Sequence, residues 1–128
     1  MGPMNRFEGI AKLYGTAAQQ RLTAAHVLVV GLGGVGSWVV EALARSGVGA
    51  LTLVHGDDVC VTNINRQLHA VEGSIGRPKA VVMAERVHAV QPGCRVTVRT
   101  EFFIRKKADD FFPEASAFVV DAADGVTA

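Results

Sequence analysis

Four short stretches rich in apolar and β-branched residues, at about 26 to 31, 50 to 55, 95 to 100 and 117 to 121, read as strands. Between the first and second, over 35 to 46, and between the second and third, over 78 to 91, the apolar positions take helical spacing. Pro78 suits the first turn of the latter helix, where an amide hydrogen would have no partner, and Pro92-Gly93 ends it. Residues 5 to 22, with Phe7, Ile10, Leu13, Tyr14 and Leu22 in a polar background, read as a helical arm, and Lys107 to Phe112 as a short helix joining the last two strands. This alternation predicts an α/β fold: a Rossmann-like parallel sheet with right-handed crossovers, helices on both faces and ligands at the carboxyl ends of the strands.

The turn after the first strand narrows the function. Gly31-Leu32-Gly33-Gly34-Val35-Gly36 follows the apolar run His26 to Val30 and leads into Ser37-Trp38-Val39-Val40. That strand-to-helix setting is what a glycine-rich phosphate loop requires: the chain turns tightly, phosphate approaches the backbone, and free helix N-terminal amides face negative charge. A nicotinamide site would place an acidic residue at the end of the second strand, but His55 stands there. The strand is followed instead by a dense polar run, Asp57-Asp58-Val59-Cys60-Val61-Thr62-Asn63-Ile64-Asn65-Arg66-Gln67. Carboxylates, an amide and a guanidinium suited to bidentate phosphate contact lie close together there. Gly76-Arg77-Pro78-Lys79 adds a second cation in the first turn of a helix. Two cations, carboxylates and a glycine-rich turn suit a triphosphate with Mg²⁺ better than NAD.

Composition limits the alternatives. At 128 residues, 49% of them hydrophobic, the chain has the content of one globular domain. A formal charge of +1 writes no general attraction to nucleic acid or membrane into it. The basic residues Arg95, Arg99, Arg105, Lys106 and Lys107 read as a solvated face, with contact to tRNA phosphates as the alternative. Two distant cysteines, Cys60 and Cys94, and the lack of a signal peptide or long apolar span point to a reducing cytoplasm. Cys60 reads as a small buried or half-buried side chain, Trp38, Val39 and Leu43 as core facing the sheet, and His26, His69 and His88 as surface or filler. Asp121 reads as a strand-end structural residue. Stopping soon after a strand, at Asp121 to Ala128, the chain reads as the N-terminal part of a larger protein, with an open sheet edge that invites another chain or domain.

Taken in order, G-x-G-G-x-G, D-x-V-x-x-T-N-x-x-R-Q, G-x-P-K and D-x-x-D resemble the adenylating ThiF/MoeB family, relatives of the ubiquitin-activating enzymes. Asp58 to Asn63 with Asn65-Arg66-Gln67, plus Arg6-Phe7 and Leu13-Tyr14-Gly15, most resemble its tRNA threonylcarbamoyladenosine dehydratase branch. The resemblance runs from about Arg6 to Asp124 and implies an arm over 1 to 22 and the N-terminal part of an ATP-binding adenylation domain over 23 to 128. It implies that Gly31, Gly33, Gly34 and Gly36 form the ATP loop, that Asn63, Arg66, Gln67 and Lys79 serve the nucleotide and its phosphates, that Asp57 lies beside it, and that Asp124 holds Mg²⁺. Arg66, Lys79 and Asp124 would carry the chemistry: a carboxylate attacks the α-phosphate, pyrophosphate leaves and an acyl-adenylate forms. In the dehydratase branch the carboxylate is that of the threonylcarbamoyl group on adenosine 37 of tRNA, and internal attack then expels AMP and closes a ring. A homodimer and a sulfur-relay partner also follow from the resemblance.

Two departures stand out. The family carries D-x-D at the end of the second strand, and His55-Gly56-Asp57 lacks the first carboxylate, which is expected on the ATP ribose. Sulfur-carrier activators carry Arg-Tyr-x-Arg near the start, where this chain has Arg6-Phe7-Glu8-Gly9. The second favours the dehydratase branch over an adenylyltransferase acting on the Gly-Gly terminus of a sulfur carrier. The first keeps open a third class, a non-catalytic fragment or nucleotide-binding module.

Overall fold

The computed structural model describes residues 6 to 101 and 118 to 123. Two short helices, α1 (Glu8–Tyr14) and α2 (Thr16–Ala24), precede strand β1 (His26–Val30). Then come α3 (Gly36–Arg45), β2 (Ala50–Val54), a 3₁₀ turn over Val61–Asn63, α4 (Lys79–Val90), β3 (Arg95–Arg99) and β4 (Phe118–Asp121). The expected single arm helix is broken at Gly15, whose φ of +92° lies in the region glycine tolerates. The expected helix at Lys107 to Phe112 lies outside the described residues, as do Arg105 and Lys106.

All strand pairings are parallel, and the order is β3-β2-β1-β4. β1 and β2 pair in register from His26 opposite Ala50 to Val30 opposite Val54. Continuous runs of Val and Leu are what a parallel strand covered on both faces needs, and β2 is buried along its whole length. Val27, Val29, Leu51 and Leu53 point to the face that carries α3 and α4, where they pack with Val40, Ala44, Met83 and Val87. Leu28, Val30 and Val54 form a separate buried cluster on the opposite face, so the central strands β1 and β2 are covered on both sides, whereas β3 and β4 are more open.

The sequence reading erred on Trp38. The buried residues of α3 are Gly36, Ser37, Val40, Glu41 and Ala44, spaced three and four apart, and Trp38 falls off that stripe at 53% exposure. Cys60 is likewise exposed, whereas Cys94 is buried and its thiol pKa is pushed up by burial. Among the basic residues read as a solvated face, Arg99 pairs with Glu101 at 2.8 Å.

The strand order turns β1 into a switch point. From β1 the chain steps to β2 and β3 on one side, while β4 returns on the other, and the carboxyl end beside such a reversal is where open α/β sheets hold ligands.

Candidate functional site

The glycine loop stands at that carboxyl end, and its four glycines divide into two kinds. Gly31 has φ +91°, and a Cβ there would fall 2.6 Å from the carbonyl oxygen of Ala122, just past β4. A Cβ on Gly36 would fall 1.7 Å from the carbonyl oxygen of Gly31. Both are demanded by the protein's own backbone. Gly33 and Gly34 differ: a Cβ would meet Gln67 Nε2 or Arg66 Cγ at 3.7 Å, an ordinary contact. Their bareness leaves room for a ligand next to the side chains of Arg66 and Gln67. Among the described residues the amides of Gly33, Gly34 and Val35 have no hydrogen-bond acceptor.

Three cross-links tie the loop and α3 to the polar run after β2. Ser37, fully buried, donates its hydroxyl to Gly33 O at 2.5 Å and accepts from Leu68 N–H at 3.2 Å. The Trp38 indole N–H donates to Arg66 O at 2.9 Å. His69 Nε2 donates to Leu32 O at 2.7 Å, and His69 is only 2% exposed. Sequence reading missed all three; Ser37 directly after the last fingerprint glycine and His69 two places after Gln67 were the available signals.

The polar run itself is set by a local turn. Asn63 Oδ1 accepts the Cys60 N–H at 2.8 Å, closing the 3₁₀ turn and leaving the amide NH₂ for other partners. Arg66 lies exposed, its guanidinium donating to Asn65 Oδ1 at 2.9 Å and Thr62 O at 3.2 Å, and among the described residues it has no carboxylate partner. The segments around Val59 and Arg77 lie antiparallel, with Val59 N–H on Arg77 O at 2.8 Å and Lys79 N–H on Asp57 O at 3.1 Å. This pairing delivers Lys79 to the site from a distant part of the sequence. Lys79 is 6% exposed, and among the described residues it has no ion-pair partner.

The electrostatics follow from that burial. His55 Nδ1 accepts the Leu32 N–H at 2.8 Å, so its proton sits on Nε2, which lies 3.5 Å from Asp57 Oδ2. That separation permits charge attraction, but Nε2 is not aimed to make a hydrogen bond. Burial lowers the pKa of His55, the Lys79 charge lowers it further, and Asp57 opposes both. Burial also lowers that of His69, with the bond to Leu32 O opposing and Lys79 assisting. Three buried side-chain atoms lack a partner among the described residues: His55 Nε2, Gln67 Oε1 and His69 Nδ1. All three surround this loop. Orphaned buried polar atoms are uncommon in folded proteins, and these three belong to side chains packed directly behind the loop.

The structure thus gathers Gly31, Gly33, Gly34, Gly36, Asp57, Asn63, Arg66, Gln67 and Lys79 around one loop. Asp124, expected on Mg²⁺, lies outside the described residues, and Asp121 accepts the Ala123 N–H at 3.1 Å as a strand-end turn. Among the described residues no three His, Cys, Asp or Glu side chains converge on a metal position, and no helix is long and apolar enough to cross a membrane.

A parallel sheet with a glycine loop at its switch point defines a Rossmann-like α/β protein, and residues 7 to 128 match the model of the ThiF family. The chain belongs to the ThiF family. It is 51% identical over 121 residues to the tRNA threonylcarbamoyladenosine dehydratase of Escherichia coli strain K12, covering 94% of this chain and 45% of that protein. A crystal structure of the E. coli tRNA N6-threonylcarbamoyladenosine dehydratase in complex with ATP superimposes with a TM-score of 0.91, over 94% of this chain and 50% of that one. The sulfur carrier protein adenylyltransferase of Thermus thermophilus is 42% identical over 82 residues, covering 64% of this chain and 30% of that protein. The chain spans about half the length of the dehydratases it matches.

Proposed function

We propose that these residues are the ATP-binding half of an enzyme that adenylates the threonylcarbamoyl carboxylate on adenosine 37 of tRNA and so cyclises it. The observation that carries this reading is the gathering of Lys79, Arg66 and the free loop amides around glycines that leave ligand space, beside orphaned acceptors and donors. ATP fits such a site, because the loop amides, Arg66 and Lys79 are donors only, as a polyphosphate requires. Asn63 adds its amide NH₂, and Gln67 its unpartnered oxygen.

In this reading ATP supplies the activated phosphorus centre, and the chain's own groups do the rest. Lys79 and Arg66 would stabilise charge that builds on the phosphates, Lys79 from a buried position that strengthens its electrostatic contacts and Arg66 from the exposed side of the loop. Asp57 would lie beside the nucleotide and Asp124 would help hold Mg²⁺; this ion commonly takes one or two carboxylates plus substrate phosphates, so a three-residue protein cage is not required. The partners in this reading are tRNA, a second copy of the chain in a homodimer, and a sulfur-relay protein, in the cytoplasm. Support for the dehydratase branch comes from identity and coverage, both higher than for the sulfur-carrier adenylyltransferase.

The test is calorimetric titration of Mg·ATP, with NAD as control, followed by pyrophosphate release in the presence of threonylcarbamoylated tRNA. ATP binding without NAD binding and tRNA-dependent release support the reading. Release driven instead by a carrier protein ending in Gly-Gly would replace it.

A further inference from the structure

Leu32 sits inside the glycine loop, and both polar groups flanking its Cα are held by imidazoles. Its N–H reaches His55 Nδ1 at 2.8 Å, from the end of β2, and its C=O takes the His69 Nε2 proton at 2.7 Å, from the polar run. The Leu32 side chain is itself fully buried in the main core. The loop is therefore fixed at one residue from three directions. At position 55 the family pattern places a carboxylate for the ribose, but here the Nδ1 atom of the ring is already engaged and Nε2 faces Asp57.

We infer that His55 and His69 are positioning residues that clamp the Leu32 peptide groups from both sides, so that His55 serves nucleotide binding through the loop amides and not through the ribose. This rests on the reading of the loop as the ATP site. A glycine-rich loop is costly to order, and one fixed beforehand loses less entropy on binding. Holding the Leu32 N–H and C=O fixes the 31–32 and 32–33 peptide planes; the second carries the Gly33 N–H and aims the chain toward Gly34, and neither glycine amide has an acceptor among the described residues. A neutral imidazole can accept the Leu32 N–H without placing negative charge beside a polyanion.

Amide side chains separate the two nitrogens of each ring. Asn sets its terminal atoms near the Nδ1 position of a histidine, and Gln near Nε2. The clamp therefore expects opposite rescue at the two sites. His55→Asn and His69→Gln retain near wild-type affinity for ATP, whereas His55→Gln and His69→Asn each lose about tenfold, the equivalent of one hydrogen bond. Inorganic triphosphate falls in parallel with ATP, and the preference for ATP over 2′-deoxy-ATP stays constant across all four. Amide hydrogen exchange on the unliganded 128-residue chain shows Leu32 protected in the wild type and His55→Asn, and faster in His55→Gln. His55→Gln outperforming His55→Asn, with triphosphate binding unchanged and the 2′-hydroxyl preference altered, puts His55 on the ribose and overturns the inference. An unprotected Leu32 amide in the wild type overturns it as well, even if a variant fails to fold. Protection of Leu32 without binding of any of the three ligands is a distinct pattern: it overturns the nucleotide reading and, with it, the clamp's role in binding.

Discussion

Glu41 on α3 accepts two hydrogen bonds from Arg86 on α4, at 2.9 and 2.8 Å, while Arg45 adds a third at 2.8 Å. The carboxylate is nearly buried, and Arg86 holds its pKa below the ordinary value, against the opposing effect of burial, with Arg45 assisting. The pair fastens the two crossover helices that carry the loop and Lys79. Glu41→Ala leaves Arg86 without its partner and is expected to lower stability by about 1 to 3 kcal/mol, the range softened because both arginines remain partly in water. A shift of the urea midpoint with an unchanged slope is the expected result.

The loop glycines are expected to separate in their effects. Gly31→Ala and Gly36→Ala push a methyl group into backbone and should cost more than about 3 kcal/mol or prevent folding. Gly33→Ala and Gly34→Ala meet only ordinary contacts and should fold while weakening ATP binding. Thermal melts and calorimetry on the four variants distinguish the two kinds.

Lys79 carries a buried charge that the described residues leave unpaired, and such a charge costs stability. Lys79→Met should therefore raise the melting temperature while lowering ATP affinity at least about tenfold, since charged hydrogen bonds contribute roughly 1.5 to 3 kcal/mol. The same change should raise the pKa of His55 and His69, whose protonation Lys79 opposes. Proton NMR of the imidazole resonances against pH reads this directly.

Stability should fall with acid in two stages. For His55 and His69 the folded pKa is lowered from 6.5, so the unfolded chain takes up protons first. Their contribution is complete above about pH 6.5 and is lost as pH falls below it toward the folded values. Glu41 follows the same sign from 4.5 downward, with stability present above that value and lost beneath it. Denaturation across pH 8 to about 2.5 should show the first loss vanish in a His55→Asn, His69→Gln double variant and the second persist.

Trp38 is the sole tryptophan of the chain, and its indole is bonded to the residue expected to hold phosphate. ATP binding should change its emission, and Trp38→Phe should cost about 1 kcal/mol by removing that bond. A fluorescence titration with and without nucleotide checks both.

The central strands β1 and β2 were legible because parallel strands covered on both faces must be apolar throughout, and the loop because backbone crowding at Gly31 and Gly36 leaves no other residue type. The polar run and Lys79 were legible as chemistry, but not the antiparallel pairing of Val59 with Arg77 that joins them, since no local pattern encodes a contact between loops. Trp38 was misread because apolar character was taken for burial, whereas the stripe of α3 passes through Ser37 and Glu41. His69 was misread because a histidine's role depends on which carbonyl faces it, here one that sits 37 positions earlier.

Gly31 closes against Ala122, whose own N–H continues the ladder from Val30 O at 2.8 Å. One wall of the loop is therefore supplied by a segment that leaves the ribosome some ninety residues after the loop itself. During synthesis β1, β2 and β3 can align as soon as they emerge, but the loop acquires its final shape when β4 docks. Completion of the loop is thus a late event in folding, tied to a contact of long sequence separation.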